Sequence, residues 1–468
     1  MEEKKPKRMR KVLVLVVILA LAGLALPVSN LLVAKPHSAK LAAVPCQDGS
    51  LTAVRDALQA KCSHCHTDDA GLPFYAALPG AGGIIRGDVQ RALRYLDLPA
   101  SFEPASGRIG EVALAKMEHA LAHNTMPPVQ YLAMHWDSAL SGDQRQKLTD
   151  WVVQTRVKHY AAKDLDETLA RRVIHPLPQA HKEDAARVAM GEKLFNDTRL
   201  SKDGTLSCAS CHGLDKGGTD QAPVATGVGG AKGPINSPTV FNALYNVKQF
   251  WDGRAADLKD QAGGPVENPI EMAEKWDNVV QKLQQDAAFK AEFEKLYPAG
   301  VSKDTVTEAI ATFEKTLLTP DSRFDKFLRG DQAALTAGEK EGYQLFLDNG
   351  CATCHCGPAM GGRSFEWMGR HKDYFAARGN VKEADHGLFN FTKKEADRYK
   401  FKTPTLRNIE VTFPYFHDAS AKDLQTAVKV MADVQYGKTL SQAEIDRIVD
   451  FLKTLTGEYK GKSLAMAK

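Results

Sequence analysis

Apolar and polar positions along the chain fall into three regimes. The first is an almost unbroken apolar run from Val12 to Ala34, interrupted only by Ser29 and Asn30, with no face left polar. Such a run is long enough to cross a bilayer as a helix. The second regime is amphipathic, with helical spacing in three places. Leu51, Val54 and Leu58 lead into one cysteine pair, Leu148, Trp151 and Val152 come after it, and Ile445, Ile448, Val449, Leu452 and Leu455 close the chain. Ser141 with Gln144, and Ser441 with Glu444, have the spacing of capping boxes that start helices over the second and third of these stripes. The third regime is Gly/Pro-rich and loop-like, most of all between about residues 213 and 275. Strand-like alternation is scarce, so the pattern predicts a mainly α fold.

One pattern repeats. Gly191-Glu-Lys-Leu194-Phe195 precedes Cys208, and Gly342-Tyr-Gln-Leu345-Phe346 precedes Cys351. Two related units in tandem are the direct reading. Each repeat leads into Cys-x-x-Cys-His: Cys208-Ala-Ser-Cys211-His212 and Cys351-Ala-Thr-Cys354-His355, with a third copy at Cys62-Ser-His-Cys65-His66. This is the attachment sequence for c-type haem, two thioethers plus a proximal histidine. Paired cysteines with a nearby histidine also make zinc sites. Three copies, each with histidine directly after the second cysteine, favour three covalently bound haems c.

The formal net charge is +4, but the first eleven residues hold six Lys/Arg (Lys4, Lys5, Lys7, Arg8, Arg10, Lys11) against two Glu, which leaves 55 of each sign in the remainder. A balanced body gives no footing for nucleic acid. The basic cluster ahead of the apolar run keeps the N-terminus cytoplasmic and sends the rest across. An uncleaved inner-membrane anchor with a periplasmic body is the favoured expectation, and a cleaved signal peptide with its h-region at Val12 to Leu26 is the rival. Cys46 and Cys356 are left outside the haem motifs, and the sequence leaves open whether they pair.

The expected organisation of the 468 residues is a basic segment and anchor over 1–34 and a linker over 35–50. An N-terminal cytochrome c domain over 51–165, a second haem domain over 166–332 and a third over 333–468 complete it. In the first, Met126 of Thr125-Met126-Pro127-Pro128 is the candidate sixth ligand, with Met134 and His123 as rivals and plain core packing as the bland alternative. Near His212 no strong sixth ligand is evident in the nearest loop, while Trp251, Gln261 and Glu271 come later in the loop-like region. An open haem face with acid–base groups around it belongs to chemistry rather than to electron carriage alone.

Together with Gly233-Pro-Ile-Asn236-Ser-Pro-Thr, Phe250-Trp251-Asp-Gly-Arg254, Pro404-Thr-Leu-Arg407-Asn408 and Thr412-Phe-Pro414-Tyr-Phe-His417, these residues make the span from Cys208 to Leu455 resemble the bacterial di-haem cytochrome c peroxidases. With the N-terminal run and the third motif, the whole chain resembles their tri-haem, membrane-anchored quinol peroxidase branch. The resemblance implies a peroxidatic haem on His212 and an electron-transfer haem on His355, with Met431 as sixth ligand of the latter. It implies Gln261 and Glu271 as the peroxide-handling pair, Trp251 between the two haems, and Ca²⁺ held by Asn236, Thr412 and Pro414. His417 and Arg254 are expected to be structural. Many members carry a capping histidine sixteen residues after the proximal one, where this chain has Val228. Valine cannot ligate iron, so the haem on His212 is expected to be open even when fully oxidised.

The expected activity is reduction of hydrogen peroxide to water, with electrons from quinol entering at His66 and passing by His355 to His212. A soluble cytochrome c or cupredoxin donor is the alternative, and a tri-haem electron-transfer protein without peroxide chemistry is the rival class. Homodimerisation, seen in relatives, is left open.

Overall fold

The computed structural model describes residues 5–32, 36–46 and 49–465. The Lys4 end of the basic cluster, the side chains of Lys5, Lys7 and Arg8, and residues 33–35 and 47–48 of the expected anchor and linker lie outside the described set. The chain divides into two compact units, 1–160 and 161–468. Both are built of helices. Among the described residues the only β ladders are Phe365–Trp367 against Lys400–Lys402 and a two-residue pair near the C-terminus, both antiparallel.

In the first unit, α1 (Lys5–Leu32) carries the apolar run. Its segment Met9–Leu32 is long and apolar enough to cross a membrane, and its described side chains are mostly exposed. The domain core is formed by α2 (Thr52–His66), α3 (Ala81–Tyr95), α4 (Glu111–Ala122) and α5 (Gly142–His159). The predicted stripes supply it, with Val54, Leu58, Leu148 and Val152 at 2 % exposure or less. Ser141 and Gln144 form the predicted capping box at the start of α5, worth about 1 kcal/mol. The stretch expected as linker is not a free tether: Leu41 and Val44 are buried in this core. Apolar side chains at those two positions gain more from burial than from solvent exposure.

The second unit contains the repeat as structure. Helix α6 (Ala185–Phe195) ends ahead of Cys208 and, after α7 (Leu258–Glu267), α8 (Trp276–Gln285) and α9 (Ala287–Leu296), packs on α10 (Lys303–Glu314). Helix α11 (Ala337–Asp348) ends ahead of Cys351 and packs on α13 (Gln442–Lys453), which comes after α12 (Leu424–Tyr436). Both crossings are close because both have glycine at the contact. A Cβ on Gly191 would lie 2.1 Å from the Ala309 carbonyl oxygen, and one on Gly342 would lie 1.9 Å from that of Arg447. The phenylalanines of the two sequence repeats then meet equivalent partners, Phe195 with Phe313 at 5.3 Å and Phe346 with Phe451 at 5.4 Å between ring centroids. Capping boxes at Ser302, Thr336 and Ser441 start α10, α11 and α13. The predicted box at Ser441–Glu444 is among them. Between the two helix pairs, Arg407 and Asp325 form a fully buried ion pair at 3.0 Å. Arg407 also donates to the carbonyls of Pro358 and His175. Pairing of this quality is what a fully buried guanidinium requires.

Candidate functional site

The three motif histidines share one arrangement. His66 is buried and its Nδ1 lies 2.8 Å from the Leu96 carbonyl oxygen. Nδ1 of His212 lies 3.3 Å from the Gly218 carbonyl oxygen, and that of His355 lies 3.1 Å from that of Met360. A carbonyl can only accept, so Nδ1 carries the proton and Nε2 is left as the basic nitrogen. Burial lowers the basicity of all three rings, with that of His355 reaching about 4, against a smaller opposing pull from the backbone carbonyls. Neutral, oriented imidazoles with a free Nε2 are what iron ligation needs. The residues fit the haem the motifs imply.

A cavity of about 1890 Å³, its open mouth included, adds a second test of fit on the His355 side. Its walls include Cys351, Cys354, His355 and Met431, the last presented by α12. It is lined mostly by apolar side chains, and it also contains Lys402, held there by the register of Phe365–Trp367 with Lys400–Lys402. Lys402 is 6 % exposed, and burial pushes its ammonium down to about 7 although Asp252 pulls it back up. A lysine kept in an apolar cavity suits an occupant bearing carboxylates, as the two haem propionates do. Nothing in the spacing around Lys402 marks it in the sequence.

Trp251 lies on the same cavity and is fixed at two points: its Nε1 donates to the Asn236 carbonyl at 2.9 Å, and its own carbonyl accepts from the Lys402 amide at 2.9 Å. Asn236, Thr412 and Pro414, the residues implied for calcium, line this cavity too. Asn236 spends its side-chain amide on the Ala222 carbonyl at 2.8 Å, which turns Oδ1 the other way, and its backbone N–H donates to the His417 carbonyl. Oxygen donors of this kind suit Ca²⁺.

His417 is buried under Phe401, stacked at 4.2 Å, and its Nε2 contacts Asp385 at 2.7 Å. Arg378 pairs with both Asp385 and Asp418. This Asp385–His417–Asp418 cluster brings together groups able to hold a cation, but the Arg378 guanidinium already supplies the positive charge. His417, expected to be structural, is tied into this cluster through Asp385. The sequence reading missed Asp385 and Arg378 because they lie in two short helical turns, Tyr374–Arg378 and Glu383–His386, far from His417 in the chain. Arg254, expected to be structural, lies 3.5 Å over the Phe250 ring and pairs with Asp252.

The two residues expected to handle peroxide, Gln261 and Glu271, are carried by a helix and the fold-back after it. Helix α7 holds Gln261, half-buried. Past its end the chain turns so that the amides of Met272 and Glu274 bond the carbonyls of Pro265 and Val266 at 3.1 and 2.8 Å. This turn sets Glu271 facing the glycine-rich loop, whose Val228 amide donates to the Glu271 carbonyl at 2.8 Å. The Glu271 carboxylate accepts from Asn268 Nδ2 at 2.6 Å. Burial raises its pKa above the ordinary glutamate value, and the Asn268 hydrogen bond and the Arg254 charge oppose that rise. The charge of Glu271 also reaches the sulfur of Cys211 and makes that thiol harder to ionise. The backbone of Thr226, on the same loop as Val228, also acts on the Cys211 sulfur. Glu274, three residues on, buttresses the turn. Burial alone would raise its carboxyl, but hydrogen bonds from Lys282, Asn278 and the Lys275 amide outweigh that and hold it at about 2.

In the first unit, Met126 sits in an exposed loop at 37 % exposure. His123 is exposed, and Met134 is half-buried at the end of the short helix Val129–Met134. Neither Cys46 nor Cys356 forms a disulfide, and Cys46 lies 3.2 Å from the Thr52 hydroxyl.

Comparison with known proteins sharpens this picture. Residues 185–333 match the family model for di-haem cytochrome c peroxidase, and residues 30–154 match a haem-binding domain. The chain is similar to the cytochrome c peroxidase Ccp of Escherichia coli, 47 % identical over 401 residues that cover 85 % of this chain and 86 % of the other. It is also similar to the cytochrome c551 peroxidase of Nitrosomonas europaea, 46 % identical over 62 % of this chain and 85 % of the other. Among solved structures, a MauG-like protein associated with microbial copper homeostasis matches with a TM-score of 0.54 at 28 % identity, over 64 % of this chain and 96 % of that one.

Proposed function

This chain belongs to the di-haem cytochrome c peroxidase family and is a haem peroxidase, and from that premise we propose that it is a tri-haem, membrane-anchored quinol peroxidase that reduces hydrogen peroxide on the His212 side. The reaction is H₂O₂ + 2e⁻ + 2H⁺ → 2H₂O. Bound haem supplies the electrons and an electrophilic iron face. This chain's own residues supply proton handling and position.

Glu271 is the proton carrier. With haem and peroxide bound, its carboxylate would take the proton from one peroxide oxygen and return it to the other, which would leave as water. Partial burial makes it a stronger base than an exposed glutamate, against the opposing Asn268 hydrogen bond and Arg254 charge. Asn268 fixes one carboxylate oxygen, and Gln261 orients the peroxide with its amide. The observation that carries the reading is the pairing of Val228 with Glu271: the loop position from which a capping side chain would approach carries valine, and its backbone is bonded to the residue proposed as base.

The three-domain organisation rests on the three motifs. The first domain spans 51–165, the peroxidatic domain 166–332 and the electron-transfer domain 333–468, with 1–34 as anchor and the body in the periplasm. Electrons from membrane quinol would enter at the His66 domain and reach the His212 side by way of the His355 side, where Met431 would be the second residue to hold the haem and Trp251 lies on the same cavity. Met126 would be the second holding residue in the first domain. Asn236, Thr412 and Pro414 hold Ca²⁺.

The test is peroxide-dependent oxidation of a quinol by the full-length, fully oxidised protein. Turnover with quinol supports the whole reading. Turnover with a reduced small cytochrome but not with quinol replaces the donor, and inertness toward every donor replaces the peroxidase assignment with electron transfer.

A further inference from the structure

The His66 motif carries an unusual residue between its cysteines. In Cys62-Ser-His64-Cys65-His66, His64 Nδ1 lies 2.8 Å from the Tyr131 hydroxyl, and the His64 ring meets the His135 ring edge-on at 5.8 Å. Tyr131 stacks on His135 at 3.9 Å. His135 Nδ1 faces the Tyr131 carbonyl at 3.1 Å, so it carries the proton, and Nε2 accepts from the Tyr75 hydroxyl at 2.9 Å. The Tyr75 oxygen in turn accepts from Asn30 Nδ2 at 3.4 Å, and the same amide donates to the Met134 carbonyl at 2.7 Å. Asn30 is in the last turn of α1. A polar chain therefore runs from the end of the apolar helix to the residue between the haem-attaching cysteines.

The surroundings of that chain are the opposite in character. Asn30, Tyr75 and His135 are each 9 % exposed or less. Next to them in the same short elements stand Phe74 at 61 %, Val129 at 80 % and Trp136 at 49 % exposure. Large apolar side chains left this open beside a buried polar cluster mark an apolar ligand with a polar end. Exposed aromatic residues at the end of an apolar helix are also where a membrane surface is met.

We propose that Tyr75, His135 and Asn30, rimmed by Phe74, Val129 and Trp136, form the binding site for the ring of a membrane quinol. The site rests on the quinol-donor reading above and gives it a location. A quinol presents two hydroxyls on an apolar ring. One hydroxyl exchanges hydrogen bonds with the Tyr75–Asn30 pair while the ring lies against the exposed apolar side chains. Between the bound ring and the Cys62–His66 segment lie the rings of His135 and Tyr131, which meet His64 of that segment. Oxidation breaks the two O–H bonds of the quinol. Two electrons pass through the chain to peroxide, and two protons leave on the aqueous side, balancing the two consumed: QH₂ + H₂O₂ → Q + 2H₂O.

The test uses the full-length protein in detergent with duroquinol as one donor and a reduced phenylenediamine dye as the other. The readouts are the ratio of quinol-driven to dye-driven peroxide turnover, the KM for duroquinol, and the rate at which duroquinol alone reduces the oxidised haem protein. Tyr75→Phe removes one hydroxyl, and a second variant, Val129→Ser with Trp136→Ser, removes two of the three apolar rim side chains without substituting the buried cluster. Each is expected to lower the ratio at least tenfold, chiefly through KM, with a matching loss in the rate of reduction by duroquinol. A purely structural role for the cluster would depress both donors equally and leave the ratio unmoved. If the unaltered protein oxidises duroquinol and both variants keep the ratio within twofold, the site is wrong and the quinol donor stands. If the unaltered protein uses the dye but not duroquinol, the donor reading fails and the site with it.

Discussion

Replacing Glu271 with glutamine isolates one function. Glutamine has the same shape, and its Oε1 can still accept from Asn268 Nδ2, which holds the carboxylate at 2.6 Å. The fold-back of Met272 and Glu274 onto α7 uses backbone groups only, so it survives the change. The basic carboxylate alone is lost. General acid–base catalysis by one positioned group contributes about 100- to 10,000-fold, or about 3–5 kcal/mol of barrier. Glu271→Gln is therefore expected to lose at least about 100-fold in peroxide turnover. Reduction of the haems by donor in the absence of peroxide should keep its rate. The pH profile gives a second, independent readout. Glutamate acts as base when deprotonated, so turnover falls as pH drops through its pKa. Burial raises that pKa above the ordinary value, so the fall begins at higher pH than an exposed glutamate would give. Asn268→Ala removes a hydrogen bond that opposes the rise, and should move the acid limb higher still, while Glu271→Gln should abolish it. Steady-state peroxide consumption across an acidic-to-neutral pH series checks both. Turnover of Glu271→Gln within threefold of the parent at neutral pH would refute the assignment of the proton carrier.

Other expectations come from particular contacts. Val228→His places an iron-binding side chain on the loop bonded to Glu271; peroxide turnover should acquire a lag that prior partial reduction removes, visible in stopped-flow traces. Lys282→Met removes the ion-pair partner of Glu274. Glu274 is held at about 2 in the fold against about 4.5 in a free chain, so its contribution is present above about pH 4.5, is lost as pH falls through 2, and amounts to at most about 3 kcal/mol. Chemical denaturation at neutral pH should therefore show the variant less stable, with the gap closing as pH falls toward 2. Gly342→Ala puts a methyl 1.9 Å from the Arg447 carbonyl oxygen and should cost about 1–3 kcal/mol by forcing α11 off α13, read as a lower melting temperature.

Much of the architecture was legible because it is written in local patterns. The Cys-x-x-Cys-His motifs name their ligand chemistry outright. The helical stripes around Leu58, Val152 and Ile448 and the capping residues Ser141 and Ser441 act within a turn or two of themselves. The repeat at Gly191 and Gly342 could be seen as similarity, and its physical reason, two helix crossings too close for a Cβ, appears only when Ala309 and Arg447 are opposite. The features that could not be read depend on contacts between residues distant in the chain. Lys402 reaches the His355 cavity through a three-residue strand too short to show alternation. Asp385, paired with Arg378, meets His417 from short helical turns distant in the chain. Residues 35–50 read as a linker because Leu41 and Val44 are too few to make a stripe, yet both are buried. The polar chain from Asn30 through Tyr75, His135 and Tyr131 to His64 likewise appears only in the folded chain.

The most direct test of the central claim is to mix the fully oxidised, full-length protein with hydrogen peroxide and donor, with no prior reduction, and monitor peroxide loss from the first milliseconds. The account predicts turnover without a lag and, in the resting protein, an iron on the His212 side with only one protein ligand. A resting protein in which every iron has two protein ligands, inert to peroxide until partly reduced, would contradict it.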